Sequence, residues 1–455
     1  MPQILFAFYF FLIMELNTSS KSGSQNLEKT AIIMTVLKWS FFALVVSLPL
    51  VRPFNLPLFN STIPATDFIF LAVFAVWTLA LMLGETSLRR SRFYLFLFFY
   101  AAAMTISTVF AIDFRSSAIK LAGEFYLLGL AVLTFNIVRN LPDLRRVFFA
   151  WTIGTSLTVA ASVVGFALFY IGYKTRDENF ALFQYGTLPV GNFPRLKALF
   201  YNANMACNYL SVSLMIALIA EQIGWLKKTP SRVLQCGIWF AAFFTLSPGL
   251  GGMFLSQGLW NWVKNRKTEN RRFAFGSLLV GSLLATAFFA ATVVHPDTAN
   301  TDADWRLPVV NYTIEPAARP LIWRQAIDTI GQHPVFGSGL NADAASLMYT
   351  TLSDEPHYLT DAHNTFLSVV VQTGFVGLAA FILLIIFLCK CFLPIETFDN
   401  SQSIVKIGLG IAFISAFLYQ GLAGSFEDSR HLWILIGLLA GFGEPDKPET
   451  KVNFA

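Results

Sequence analysis

The chain has 455 residues, is 55% hydrophobic and only 13% charged, and carries a formal net charge of +5. Soluble domains usually hold about 25% charged residues, so this composition, with a mean hydropathy of +0.59, excludes a soluble globular enzyme. The positive balance comes from loop arginines and gives no reason to invoke nucleic acid.

In chain order, residues 1–30 read as an N-terminal extension. A Phe-rich apolar stretch at 3–16 is followed by a polar run from Asn17 to Thr30. It is either a short interfacial segment or an upstream extension of a chain that begins at Met34. Without a basic n-region it does not read as a cleaved signal peptide. Twelve apolar blocks follow, most of them near the 20 residues that span a hydrocarbon core. They cover 31–51, 66–84, 93–112, 118–138, 147–172, 205–224, 233–248, 249–264, 273–294, 363–389, 404–423 and 431–443. Ser247-Pro248-Gly249 is the turn signal that divides 233–264. The predicted fold class is all-α, a polytopic helical membrane protein. Helices 1–9 fall within 31–294, a long loop at 295–362, helices 10–12 within 363–443, and a cytoplasmic tail at 444–455. The four cysteines, Cys207, Cys236, Cys389 and Cys391, lie in or beside apolar blocks and show neither zinc spacing nor a disulfide framework.

Every second loop is basic. Arg89, Arg90 and Arg92 fill one, Arg139, Arg145 and Arg146 another, Lys227, Lys228 and Arg232 the next, and Lys264, Arg266, Lys267, Arg271 and Arg272 a fourth. Basic loops stay cytoplasmic. The two longer loops, 173–204 and 295–362, therefore face outward.

Those loops hold the candidate chemistry. Asp361-Ala362-His363-Asn364 stands where the second loop meets an apolar helix. The partial positive charge of a helix N-terminus favours neutral imidazole, which makes His363 a candidate general base; the alternative is that it only marks a helix start. Arg195 precedes Tyr201, Asn202 and Asn204 in the first loop, and Arg319 precedes Trp323 and His333 in the second. An arginine forks two donors toward phosphate oxygens, so two of them beside one histidine suit a pyrophosphate substrate; the alternative is contact with lipid headgroups. Tyr201, Asn202 and Asn204 suit sugar hydroxyls, with helix capping the competing role. Asp302 and Asp304 flank Ala303 in the second outward loop, but a lone acidic pair in a loop reads as a solvated tip and not as a metal site.

At these residues the chain resembles the bacterial O-antigen ligase and O-antigen polymerase superfamily. The similarity runs through Arg319, Trp323, His333-Pro334-Val335-Phe336-Gly337-Ser338-Gly339, His363-Asn364-Thr365-Phe366-Leu367 and Gly374-Phe375-Val376-Gly377, with Arg195 and the Asn202 to Asn204 element upstream. Two departures stand out: Gln372 where a glutamate is common, and Ser247-Pro248 where Ser-Arg is frequent. The resemblance implies a GT-C-like glycosyltransferase in the bacterial inner membrane, with its active site facing the periplasm. Its donor would be an undecaprenyl-pyrophosphate-linked glycan. The acceptor would be lipid A-core for a ligase or a lipid-linked repeat for a polymerase. A protein O-glycosyltransferase or a transporter is a lesser alternative. The implied catalytic set is His363, Arg319 and Arg195. Tyr201, Asn202, Asn204, Trp323, Asn364 and Arg430 would contact substrate, and neither metal nor cofactor is expected.

The remaining polar residues carry structural expectations. Lys120 and Glu124, four apart in one span, neutralise each other. Glu427, Asp428 and Arg430 pair with one another or touch the acceptor, pairing being favoured. His431 and Trp433 anchor the chain at the interface.

Overall fold

The computed structural model describes residues 25–51, 53–54, 63–173, 181–188, 191–264, 276, 279–283, 292–294, 313–315, 319–350, 356–393, 398 and 400–443. Its helices are α1 (Gln25–Ser47), α2 (Ala65–Met82), α3 (Phe93–Val109), α4 (Phe114–Ile137), α5 (Leu141–Tyr170), α6 (Ala203–Gln222), α7 (Lys228–Phe243), α8 (Leu250–Lys264), α9 (Arg319–Gln332), α10 (Thr365–Phe392), α11 (Ser401–Ala412) and α12 (Arg430–Gly443). A π-helical segment, Phe413–Tyr419, continues α11. By length and composition, α4, α5, α6, α10 and α11 with its π segment can each cross a membrane, and parts of α1, α2, α3 and α12 form shorter apolar helices. These helices make it a multi-pass membrane protein.

The connections add strands that an all-α reading leaves out. Among the described residues they form four two-stranded antiparallel hairpins: β1 (Pro53–Phe54) with β2 (Ile63–Pro64), β3 (Phe183–Leu188) with β4 (Gly191–Leu196), β5 (Thr292–Val294) with β6 (Thr313–Glu315), and β7 (Leu347–Thr350) with β8 (Pro356–Leu359). Strand β5 occupies the end of the apolar block expected as a helix over 273–294. Within that block, residues 276 and 279–283 are helical, and the others before β5 lie outside the described residues.

Helix starts follow local chemistry. The side chains of Asp113, Asn140, Asn202, Asn364 and Asn400 each accept a hydrogen bond from an N–H of the turn they open, satisfying donors that have no partner inside the helix. Helices α6 and α12 are buried along nearly their whole length, whereas α3 exposes Leu95, Phe98 and Phe99. The former pair forms the centre of the bundle, and α3 lies at its edge. His431 and Trp433 are 3% and 0% exposed, so they are core residues and not interfacial anchors. Asn208 of α6 links the centre. Its amide donates to the Ala416 carbonyl at 2.7 Å in the π segment and to Gln420 Oε1 at 3.0 Å, and its Oδ1 meets His431 Nε2 at 2.7 Å.

Helix α10 is broken within the span expected to be continuous. Gly374 has φ +65° and ψ −170°. The loop after α9 fills that break. The Phe375 and Val376 N–H groups donate to the Pro334 and Val335 carbonyls at 2.8 and 3.2 Å, while the Ser338 and Gly339 N–H groups donate to the Val371 and Gln372 carbonyls at 2.8 and 3.1 Å. Unpaired backbone groups are costly where water is scarce, and here each strand of the break supplies the other. Side chains fasten the plug to α3 and α4. Ser107 Oγ donates to the Gln372 carbonyl at 2.6 Å, Ser117 Oγ to the Leu340 carbonyl at 2.7 Å, and Phe110 stacks on Phe336 at 5.0 Å.

The break requires two glycines. A Cβ on Gly374 would sit 2.2 Å from the Val335 carbonyl oxygen, and one on Gly337 would sit 2.4 Å from that of Gln372. The conformation of Gly374 is essentially restricted to glycine and costs another residue about 1–3 kcal/mol before any clash. Gly374→Ala is therefore expected to lower the thermal midpoint of the purified protein sharply, or to abolish its folded yield. Gly123→Ala, where a Cβ meets nothing within 4 Å, is expected to leave both unchanged. Fluorescence-detected thermal unfolding in detergent, run on the two variants in parallel, measures the difference.

Candidate functional site

His363 stands just before α10, outside the helix. Asn364 is the capping residue, and its side chain accepts the Phe366 and Leu367 N–H groups at 3.0 and 3.1 Å. The Asn364 amide also donates to the Leu422 carbonyl at 3.2 Å. His363 has φ +48°, a left-handed conformation that non-glycine residues rarely adopt and that recurs at functional sites. Asp361 holds it there twice. Its Oδ1 accepts the His363 N–H at 3.1 Å, and its Oδ2 lies 3.1 Å from Nδ1. The partner of one ring nitrogen sets the tautomer: Nδ1 faces Asp361, and Nε2 has no hydrogen-bond partner among the described residues. Burial opposes the charge of Asp361, but hydrogen bonds from the His363 ring, the Ser425 hydroxyl and the His363 N–H outweigh it and hold the carboxyl below its usual range.

Two segments close around this histidine. Trp323 of α9 donates its indole N–H to the Ala362 carbonyl at 3.0 Å. Arg319 opens α9 one turn earlier, and its side chain lies outside the described residues. From the other side, the Thr365 N–H and hydroxyl both donate to the Gly424 carbonyl at 3.1 Å, and the Phe426 N–H donates to Thr365 Oγ1 at 3.0 Å. The Ser425 hydroxyl donates to Asp361.

Arg195 lies on β4. Its Nε donates to the Thr245 carbonyl at 3.2 Å and its Nη2 to Asn204 Oδ1 at 3.1 Å. Both acceptors are neutral. Burial lowers its pKa, yet a guanidinium stays charged at any physiological pH. The result is a partly buried cation with no carboxylate against it among the described residues. Tyr201 is exposed, and Asn202 caps α6 by accepting the Met205 N–H at 2.8 Å. No direct bond joins Arg195 to His363 among the described residues. A continuous path does. Asn204 and Asn208 sit one turn apart on α6, Asn208 bonds Gln420, and the Leu422 and Gly424 carbonyls that follow hold Asn364 and Thr365.

Arg430, expected as a substrate contact, has a carboxylate partner. It forks onto Asp67 of α2, Nε to Oδ1 at 2.9 Å and Nη2 to Oδ2 at 3.0 Å, and also reaches the Tyr126 hydroxyl at 3.1 Å. Its charge is compensated. Glu427, Asp428 and Arg430 do not pair with one another: Asp428 pairs with Lys120, which also lies 3.5 Å from Glu124. Sequence spacing found the Lys120–Glu124 pair but missed the partners Asp67 and Asp428, which come from other elements. It also gave Asp361 and Ser425 no role. The one local signal for Asp361 is its place two residues before the histidine. Gln372, where a carboxylate was the expected residue, uses both halves of its amide: Nε2 donates to Ser368 Oγ at 2.8 Å and Oε1 accepts the Asn341 N–H at 3.2 Å.

Residues 236–382 match the family described as O-antigen ligase. The matched segment runs from α7 through the first half of α10, so it takes in Trp323, the loop that fills the α10 break, and His363. The match supports membership of the O-antigen ligase and polymerase superfamily, and with it a glycosyltransferase-like activity on lipid-linked glycans in general. No curated protein matches the chain.

Proposed function

We propose that this protein is an O-antigen ligase-type glycosyltransferase of the bacterial inner membrane. It moves a glycan from undecaprenyl pyrophosphate to an acceptor hydroxyl of lipid A-core on the periplasmic face. The observation that carries this reading is the contrast between its arginines. Arg430 is neutralised by Asp67, whereas Arg195 is held by neutral acceptors only and keeps its charge for an anion. In the proposed reaction His363 Nε2 takes the proton of the acceptor hydroxyl as that oxygen bonds to the anomeric carbon. The bond from that carbon to the phosphate oxygen breaks, and its electron pair leaves with undecaprenyl pyrophosphate. Arg195 and Arg319 meet the growing negative charge. A single displacement inverts the anomeric centre.

General-base assistance typically contributes about 10²–10⁴-fold in rate. His363→Ala is therefore expected to remove nearly all transfer at unchanged membrane abundance. Arg195→Lys and Arg319→Lys keep the charge but lose the fork, and both are expected to fail substantially. Arg324, which is exposed, is expected to tolerate Lys. Complementation of a deletion strain, scored by surface glycan, measures all four. Near-normal glycan from His363→Ala would refute the base assignment. The deletion strain also separates acceptors: a ligase null accumulates long undecaprenyl-linked chains, whereas a polymerase null makes single-repeat caps.

The topology has its own test. Residues 173–204 and 295–362 are expected in the periplasm and 264–272 in the cytoplasm. A cysteine introduced at position 300 should react with an impermeant thiol reagent in spheroplasts and one at position 268 should not; the reverse pattern overturns the orientation. Because arginines serve the pyrophosphate in this scheme, transfer is expected to persist in excess chelator. Activity that dies with EDTA and returns with Mg²⁺ would show that a metal is required.

A further inference from the structure

Glu427 is buried in the turn between the π segment and α12, 7% exposed. That turn is fixed on both sides. The Trp433 indole donates to the Glu427 carbonyl at 2.6 Å, while Ser425 and Phe426 bond to Asp361 and Thr365 at the start of α10. The Ser368 hydroxyl, one turn into α10, reaches the Glu427 carboxyl. Its other oxygen, Oε2, is buried with no hydrogen-bond partner among the described residues. No arginine or lysine pairs with it there. The charged groups around it are mostly of its own sign: Asp428 beside it, Asp361 before α10, and Glu124 on α4, with Lys120 of α4 the one cation. Tyr100 of α3 also faces it.

We infer that Glu427 works as a neutral carboxylic acid that positions the Asp361–His363 pair, which makes it a positioning residue for the transfer proposed above. An ionised Glu427 would add a buried, half-satisfied charge beside Asp361, the group that clamps the base. In neutral form it lets the turn lie against α10 and leaves the Asp361 charge committed to His363. The electrostatics agree. Burial, then the charge of Asp428, push the Glu427 carboxyl up to about 8, and the Ser368 hydroxyl and a backbone N–H offset this only in part. The acid is therefore neutral below about pH 8 and loses its proton above it.

The test is the pH profile of transfer by the purified protein, wild type against Glu427→Gln. Glutamine is neutral at every pH and of the same size. Wild-type transfer is expected to fall roughly fivefold between about pH 8 and pH 9, the titration of one such group. The Gln variant is expected to match wild type at pH 7 and to stay level through that window. A variant that is inactive at pH 7, or that keeps the alkaline fall, overturns the proposal. A second measurement needs no activity. Infrared difference spectra between pH 7 and pH 9 should show loss of a protonated-carboxyl C=O band in wild type and no such loss in Glu427→Gln. Absence of the band in wild type overturns the proposal as well. If His363→Ala retained transfer, the transfer mechanism would fail while the infrared result still decided the state of Glu427.

Discussion

The backbone of α10 breaks in an apolar bundle, and the structure depends on how that break is satisfied. A helix in lipid meets its own hydrogen-bonding needs. At Gly374 α10 gives up part of that, and the Pro334–Gly339 segment takes the vacated positions with four backbone hydrogen bonds. One interaction thus does two jobs. It seals the helix, and it fixes the start of the next segment after α9 against α3 and α4. Because α9 also holds the Ala362 carbonyl through Trp323, the approach to His363 is bounded at both ends by contacts that cannot slide. A histidine on a free loop would sample many positions. This one is carried by a loop pinned at its beginning and capped at its end.

The charges around that histidine are arranged by subtraction. Asp361 spends both oxygens on His363 and Ser425. Asp428 is taken by Lys120 and Asp67 by Arg430. Among the described residues Arg195 is held by neutral acceptors only, and His363 Nε2 has no hydrogen-bond partner. In the proposed transfer a phosphate and a hydroxyl proton would be the complements of those two groups. Keeping the other carboxylates paired or neutral protects this polarity, since a free carboxylate near Arg195 would compete with an anionic substrate for it.

Much of the architecture was legible in the sequence because hydrophobic length and turn chemistry are local. The split at Ser247-Pro248-Gly249 falls between α7 and α8, and Asn202, for which capping was the competing role, caps α6. The break in α10 was not legible, although Gly374 was noticed. A lone glycine in an apolar run is compatible with an unbroken helix, and only the distant partner, residues 334–339, makes the break affordable. The burial of His431 was missed for a similar reason. Beside Arg430 at a helix start it reads as an interfacial residue, yet Asn208, 223 positions earlier, brings it inside.

The arginines show where sequence reasoning reaches its limit and what geometry adds. Arg195 and Arg430 are the same residue type, and each stands by an apolar helix start. Each was a candidate for substrate contact. Their difference lies entirely in their partners: a bidentate carboxylate 363 positions away in one case, a carbonyl and an amide in the other. A fully paired guanidinium in a partly dry site is costly to break, so Arg430 ties the start of α12 to Asp67 of α2. A guanidinium that burial has stripped of water and that holds only neutral acceptors gains most from an incoming anion. The same desolvation that disfavours the Arg195 charge would, in the proposed transfer, strengthen its attraction for an anionic leaving group.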